Sequence, residues 1–295
     1  MTASRARQMW ELAERLHASF YLAPEPRETA AEAGLKGFWM TYFASRAAPM
    51  GAVRPEVVTS TFFYFAPRRV ERAIPDAWAL CPPERVLEAR YRGVDRVLRR
   101  LYGDAVGDPR FAAAAALTRR ALEGGSTLGR PLFASWAALP WPDEPHLALW
   151  HGCTLLREHR SGAHVVALAT AGLDGCESVV SHVAADQAPH EWIEGEAGWT
   201  ADEAAAARDR LAARGWLDDA GAITAAGAAG RAEVEALTDR LDDGPWVRLG
   251  EDARAELVGL LEGLVAVLPP DDQLDWREVY GPNPAAGDPG GLPAH

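Results

Sequence analysis

The chain has almost no lysine: of its 30 basic residues, all but Lys36 are arginine. Cysteine is nearly as scarce, with Cys81, Cys153 and Cys176 the only 3. Without a C-x-x-C spacing they exclude a disulfide framework or a zinc ribbon, and read as buried free thiols of a reducing compartment. Long apolar runs are also missing. None approaches the ~18 residues of a membrane span, and Glu11, Glu14 and Arg15 interrupt the stretch where a secretory leader would carry its apolar core. The protein is therefore expected in the cytoplasm, with no membrane partner. No P-loop, G-x-G-x-x-G, G-x-S-x-G or H-E-x-x-H pattern occurs. Nucleotide-cofactor enzymes, serine hydrolases and zincin-type metal sites are disfavoured accordingly.

What is present is acidic overall and uneven. The formal charge is −12, which opposes non-specific polyanion binding, since phosphate affinity comes from Lys and Arg displacing counterions. Residues 1–100 carry 16 basic and 11 acidic side chains, a net of +5, so the rest carries −17. With 295 residues and 48% hydrophobic content, the chain can hold two units with real cores.

Met9, Leu12, Leu16 and Phe20 recur at helical spacing, and Pro24 and Pro26 end that helix. Residues 34–78 are rich in aromatics and proline. Pro55 and Pro67 each stand where proline suits a first helical turn, and several short helices are expected around Phe38, Trp39, Phe62, Phe65 and Trp78. Trp39, Tyr42, Phe43, Phe62, Phe63, Tyr64 and Phe65 read as core in preference to the wall of a pocket. In residues 83–102, Leu87, Tyr91, Val94, Leu98 and Leu101 form one apolar seam on a basic helix. It is either core-facing with a solvated basic surface, a dimer seam or a nucleic-acid contact. A loop around Pro140, Trp141 and Pro142 marks the expected boundary between the units.

The organising stretch is residues 147–185, where Arg157, Glu158, His159, Arg160 and His164 sit between strongly apolar runs. Charge is costly there unless paired or used. Asp143 or a neighbour is expected to cap a helix ending near Arg160, with Gly162 breaking it. A second helix then runs to Ala171, Gly172 ends it, and Asp174 caps a third, giving a helix-turn-helix arrangement. His151, Glu158 and His159 fall near one helical face, His164 would fold back across the Gly162 corner, and Glu177 and His182 lie on the third helix. This set reads as a candidate ligand site: arginine for a carboxylate, His and Glu for proton transfer, or histidine for a divalent metal or haem iron. The alternative is a set of buried polar pairs that fix the helix corner. No metal-ligand spacing is present, so no metal or cofactor is assigned, nor any catalytic residue.

Thr200 to Glu203 form a capping box, and a helix follows that ends at Leu211-Ala212-Ala213-Arg214-Gly215-Trp216. The turn Asp218-Asp219-Ala220-Gly221 and the capping Thr224 come next. This segment resembles the second half of MarR-like winged-helix regulators in its Leu-x-x-Arg-Gly-aromatic ending and its Thr224-x-x-Gly227 opening of the next helix. Through the stretches FASRAAPMG, FFYFAPRRVERAIPDAW, LLREHRSGAHVVAL and RGWLDDAGAITAAG, the chain over residues 35–265 resembles an actinobacterial helix-turn-helix family with little characterisation. With the boundary read above, the resemblance implies a mostly α fold: an N-terminal helical domain over residues 1–140 and a winged helix-turn-helix domain with a short two-stranded wing over 141–268; residues 269–295, without periodicity and rich in Pro, Gly and Asp, are expected to form a mobile tail. It also implies a ligand-responsive regulator contacting double-stranded DNA through Arg208, Arg210 and Arg214, as a homodimer on a palindromic site. The wing is acidic, however, and residues 195–240 carry five basic against nine acidic side chains, which repels phosphate. The same scaffold used as a small-molecule-binding protein or enzyme, with the Arg/Glu/His cluster at work, is the alternative.

Overall fold

Proline sets most of the helix starts, because its missing N–H costs nothing in the first turn. A computed structural model describes residues 4–268, apart from the side chains of Ser19 and Leu22. The first helices are α1 (Arg5–Leu22), α2 (Glu25–Glu32), α3 (Gly37–Ala47), α4 (Pro55–Phe62), α5 (Pro67–Glu71) and α6 (Asp76–Leu80). Next come α7 (Pro83–Tyr102), α8 (Pro109–Leu122), α9 (Pro131–Ala137) and α10 (Pro145–Thr170). The chain continues through α11 (Gly175–Ala184), α12 (Ala201–Ala213), α13 (Ala225–Asp242), α14 (Gly244–Leu249) and α15 (Glu251–Val265).

Helix α10 is the axis of the molecule. It packs on α1, α7, α8, α9 and α13, and from His146 to Arg160 only Ala148 is not fully buried. One apolar core joins α1, α7, α8 and α10 to α14 and α15, through Leu16, Leu98, Phe111, Trp150 and Leu257. A second gathers α3 to α9 around Phe43, Phe62, Ile74 and Trp136. A third joins the end of α10 to α11, α12 and α13 through Leu168, Val179, Leu211 and Val234.

Several local expectations hold. Pro55 and Pro67 begin α4 and α5. Asp174 and Thr200 form capping boxes with Glu177 and Glu203, and Thr224 caps α13. Helix α7 turns its apolar side to the core together with the buried Arg90, while Arg96 and Arg99 pair outward, with Glu32 at 2.8 Å and Asp95 at 2.9 Å.

Three expectations are corrected. The two-stranded wing is absent: among the described residues there is no strand, only one antiparallel bridge between Leu217 and Ile223. The Asp218 carboxylate accepts from the backbone N–H of Ala220 and Ala222, both at 2.9 Å, so the chain reverses too tightly for a ladder. Thr224 then starts α13 at once. Secondly, Gly162 does not break a helix, because α10 runs through it. The stem of Arg130 lies across α10 at this point, with Cγ 2.7 Å from where a β-carbon on Gly162 would stand, so the glycine serves close approach. Thirdly, Asp143 caps nothing: the N-cap is Glu144, without a side-chain bond, and Pro145 opens the helix. The corner at Gly172, with φ +67°, is real, but α11 and α12 are separated by residues 185–200 rather than a tight turn. The expected tail over 269–295 lies outside the described residues.

Candidate functional site

Between α3, α4 and α9, the middle of α10, and the segment that precedes α12 lies a cavity of about 210 Å³. Its walls are aromatic: Phe38, Trp39, Tyr42, Phe62, Phe65 and Trp192 all line it. These residues come from the aromatic-rich stretch read from sequence as core, and that reading is corrected here for Phe38, Trp39, Tyr42 and Phe65. They do pack on one another, Phe43 against Phe65 at 5.0 Å and Trp39 against Phe65 at 5.7 Å between ring centroids. They nonetheless leave one side open to a space.

Five charged residues line the cavity, Arg46, Arg130, Arg157, Glu158 and Glu196, and three of them, Arg46, Arg157 and Glu158, are tied together. Arg46 donates through Nη2 to both Glu158 carboxylate oxygens, at 2.9 and 2.8 Å, and through Nη1 to the Tyr42 hydroxyl at 2.7 Å. Arg157 donates to Glu14 at 2.8 Å and lies 3.6 Å from Glu158. Burial alone would raise both carboxyls; the adjacent guanidiniums overcome it and hold Glu14 and Glu158 below the ordinary carboxylate range. His17 completes this chain, 3.6 Å from Glu14, and burial lowers its pKa to about 4. The charges therefore alternate and close on themselves, which is how buried charge is tolerated.

Of the seven residues singled out on α10 and α11, only Arg157 and Glu158 line the cavity. Because residues 146–160 of α10 are buried on nearly every side, the polar residues of this helix diverge to different partners. His151 points to α7 and shares a hydrogen bond with the Tyr91 hydroxyl through Nδ1 at 2.7 Å; burial, then Arg119, lowers its pKa to about 4. His159 accepts at Nε2 from the Ser126 backbone N–H, so its proton is on Nδ1 and is donated to Asp242 at 2.6 Å. His164 does not fold back, since there is no corner; it bonds Thr238 on α13 at 2.8 Å. Glu177 is spent on the α11 cap and on Arg210.

His182 donates from Nδ1 to the Ser178 carbonyl and accepts from Arg231 at 2.6 Å. His164, His182 and Glu235 bring ligand-type atoms within 4.8 Å of one another. Arg231 stands among them, 3.8 Å from Glu235, and its guanidinium takes the place a metal cation would need. Burial and then Arg231 push His182 well below its ordinary pKa, which keeps it neutral. Among the described residues no histidine or cysteine lines the aromatic cavity, so none of them offers an axial ligand for haem iron there.

The site residues missed in sequence are Glu14, Arg46 and the aromatic walls. Arg46 carried the same signal as the central cluster, a charge inside an apolar run, and Glu14 sits between the core residues Ala13 and Leu16. Their partners lie far along the chain, and spacing does not report those.

The three arginines expected on DNA are engaged within the protein. Arg208 donates to His190 at 3.2 Å, Arg210 binds Asp174 at 2.6 Å and Glu177 at 3.0 Å, and Arg214 donates to the Gly172 carbonyl at 3.0 Å. The exposed positions of α12 are Ala201, Asp202, Ala205, Ala206, Asp209, Arg210, Ala212 and Ala213. Among the described residues no single helix is long and apolar enough to cross a membrane. No curated protein and no solved structure matches the chain. A family model described as a helix-turn-helix family matches residues 6–273, so its reach includes the aromatic cavity as well as α11 and α12, and the chain belongs to that family.

Proposed function

We propose that this protein is a small-molecule-responsive regulator in which the aromatic cavity takes a flat, largely apolar ligand and its occupancy sets the position of α12. One observation carries the reading. The cavity wall at Trp192 and Ala197 runs directly through the Thr200 cap into α12, and it is fastened to the opposite wall. Ala66 N–H donates to the Ala197 carbonyl at 2.8 Å, the Trp199 indole to the Tyr64 carbonyl at 2.8 Å, and Arg69 to the Glu194 carbonyl at 2.9 Å. A ligand that spreads the walls must strain these bonds or move α12 with them. Membership of a helix-turn-helix family makes duplex DNA the natural output, and the MarR-like ending of α12 at Leu211 to Trp216 agrees with it. A homodimer would match a palindromic site.

The test is binding of the purified protein to its own upstream DNA and to random duplex at two salt concentrations. Tighter, salt-sensitive binding to the upstream DNA supports regulation. Equal or absent binding overturns it.

The outer face of α12 favours a second reading. Its exposed positions offer alanines and two aspartates, with Arg210 turned to α11, so base edges and phosphates would meet few donors. A protein that binds or converts a small molecule on this scaffold, without DNA, fits that face. It predicts ligand binding with no DNA response.

A further inference from the structure

The chemistry of the cavity narrows what enters it, on the reading of the cavity as a ligand site. Size comes first: a cavity of about 150 Å³ holds benzene, so about 210 Å³ suits two fused rings. Charge is next. Arg46 and Glu158 satisfy one another in a two-pronged pair, and Arg157 is held between Glu14 and Glu158. An anionic ligand would lose its water to stand beside Glu158, and a cationic one beside Arg46. Neither finds an unspent partner among these three to repay that loss, and of the other charged groups on the cavity Arg130 is spent on the Ser126 and Leu241 carbonyls while Glu196 is engaged as well. Among the described residues Arg90 has no carboxylate partner, but its guanidinium lies over the Phe20, Trp136 and Trp150 rings and does not line the cavity.

Hydrogen-bond donors come last. Ser60 and Thr61 spend their hydroxyl protons on the Val57 carbonyl. The Tyr42 hydroxyl accepts from Arg46 at 2.7 Å, so its own proton is left to give, and accepting from a cation makes it a stronger donor. Tyr21 stands similarly to Arg90, but at 3.4 Å and fully buried, whereas Tyr42 is half-exposed at the cavity.

We propose that the cavity selects an uncharged, fused aromatic ligand bearing a carbonyl oxygen, and that Tyr42 is the specificity-determining donor to that oxygen. The probes are four naphthalenes of similar shape: 2-acetylnaphthalene, 2-ethylnaphthalene, 2-naphthoate and 2-(aminomethyl)naphthalene, measured by equilibrium dialysis on the full chain. The ketone is expected to bind about fivefold or more tighter than the hydrocarbon, as one net hydrogen bond allows, and the two ions at least about tenfold weaker than the ketone. Tyr42→Phe is expected to bind the hydrocarbon unchanged and to lose the preference for the ketone. Equal binding of ketone and hydrocarbon by the native chain, or tighter binding of either ion, overturns the assignment of ligand class while leaving the cavity a ligand site. A ketone preference that survives Tyr42→Phe overturns the role of Tyr42. Binding of none of the four removes the ligand site itself.

Discussion

The backbone carbonyl of Phe63 occupies the space that a β-carbon on Gly175 would need. Phe63 is the residue that ends α4, held at φ +60° and ψ −48°, where a side chain is strained. Its neighbours Phe62, Tyr64 and Phe65 line the cavity, and Gly175 is the first residue of α11. The cavity wall therefore presses directly on the start of α11, without an intervening side chain. Gly175→Ala forces a backbone to give way and is expected to cost about 1–3 kcal/mol. Urea unfolding of the variant checks it, and an unchanged midpoint would show that the contact is loose.

Stability should fall with acid well before carboxylates titrate. Burial holds His17 and His151 at about 4, against an ordinary value near 6.5. A folded pKa below the unfolded one means that the unfolded chain binds protons first. The stabilisation is then complete above about pH 6.5 and is lost as pH falls toward 4. For His151 alone this amounts to roughly 3 kcal/mol. Glu14 and Glu158, depressed by their arginines, keep their contribution until lower pH. His151→Gln should flatten the decline between pH 6.5 and 4.5 in denaturant titrations. An equal slope in both proteins would mean that His151 is already charged in the fold.

Much of the fold was legible because its signals are local. The capping boxes at Asp174 and Thr200 and the prolines that open α4 and α5 depend on residues within one turn. The wing was not, because a turn such as 218–221 is compatible with strands or with none, and the length of a ladder depends on what it pairs with. The site was half legible. Arg157 and Glu158 announced themselves as charges in an apolar run, but spacing along α10 cannot say which of its buried sides meets a cavity. The aromatic walls were read as core because packing and lining use the same residues.

Arg210 is the side chain whose role sequence and structure put furthest apart. Its bonds to Asp174 and Glu177 tie α12 to the start of α11; Arg210 and Asp174 are half-exposed, so their pair is worth little alone, and the buried Glu177 keeps its bond to the Asp174 N–H when Arg210 is removed. Arg210→Ala is expected to lower stability by less than about 1 kcal/mol. In DNA titrations it should leave the slope of log affinity against log salt unchanged. A phosphate contact would instead reduce that slope by about one. A reduced slope would place Arg210 on DNA and release Asp174 and Glu177 on binding.

Gly162 offers a change whose sign separates two physical effects. In the middle of a helix, alanine is better than glycine by about 1 kcal/mol, so propensity alone predicts that Gly162→Ala stabilises. The Arg130 stem opposes it, with Cγ, Cβ and Cδ only 2.7, 3.0 and 3.2 Å from the added carbon. These atoms are near the backbone and cannot swing away cheaply. The Arg130 guanidinium is also held, by the Ser126 carbonyl at 3.0 Å and the Leu241 carbonyl at 2.9 Å. Net destabilisation is therefore expected for Gly162→Ala in the native background. Arg130→Ala removes Cγ and Cδ and should relieve part of that cost, giving a coupling of about 0.5–3 kcal/mol in the double-mutant cycle. Additive effects would mean that the stem yields freely, and Gly162 would then have no packing reason to be glycine.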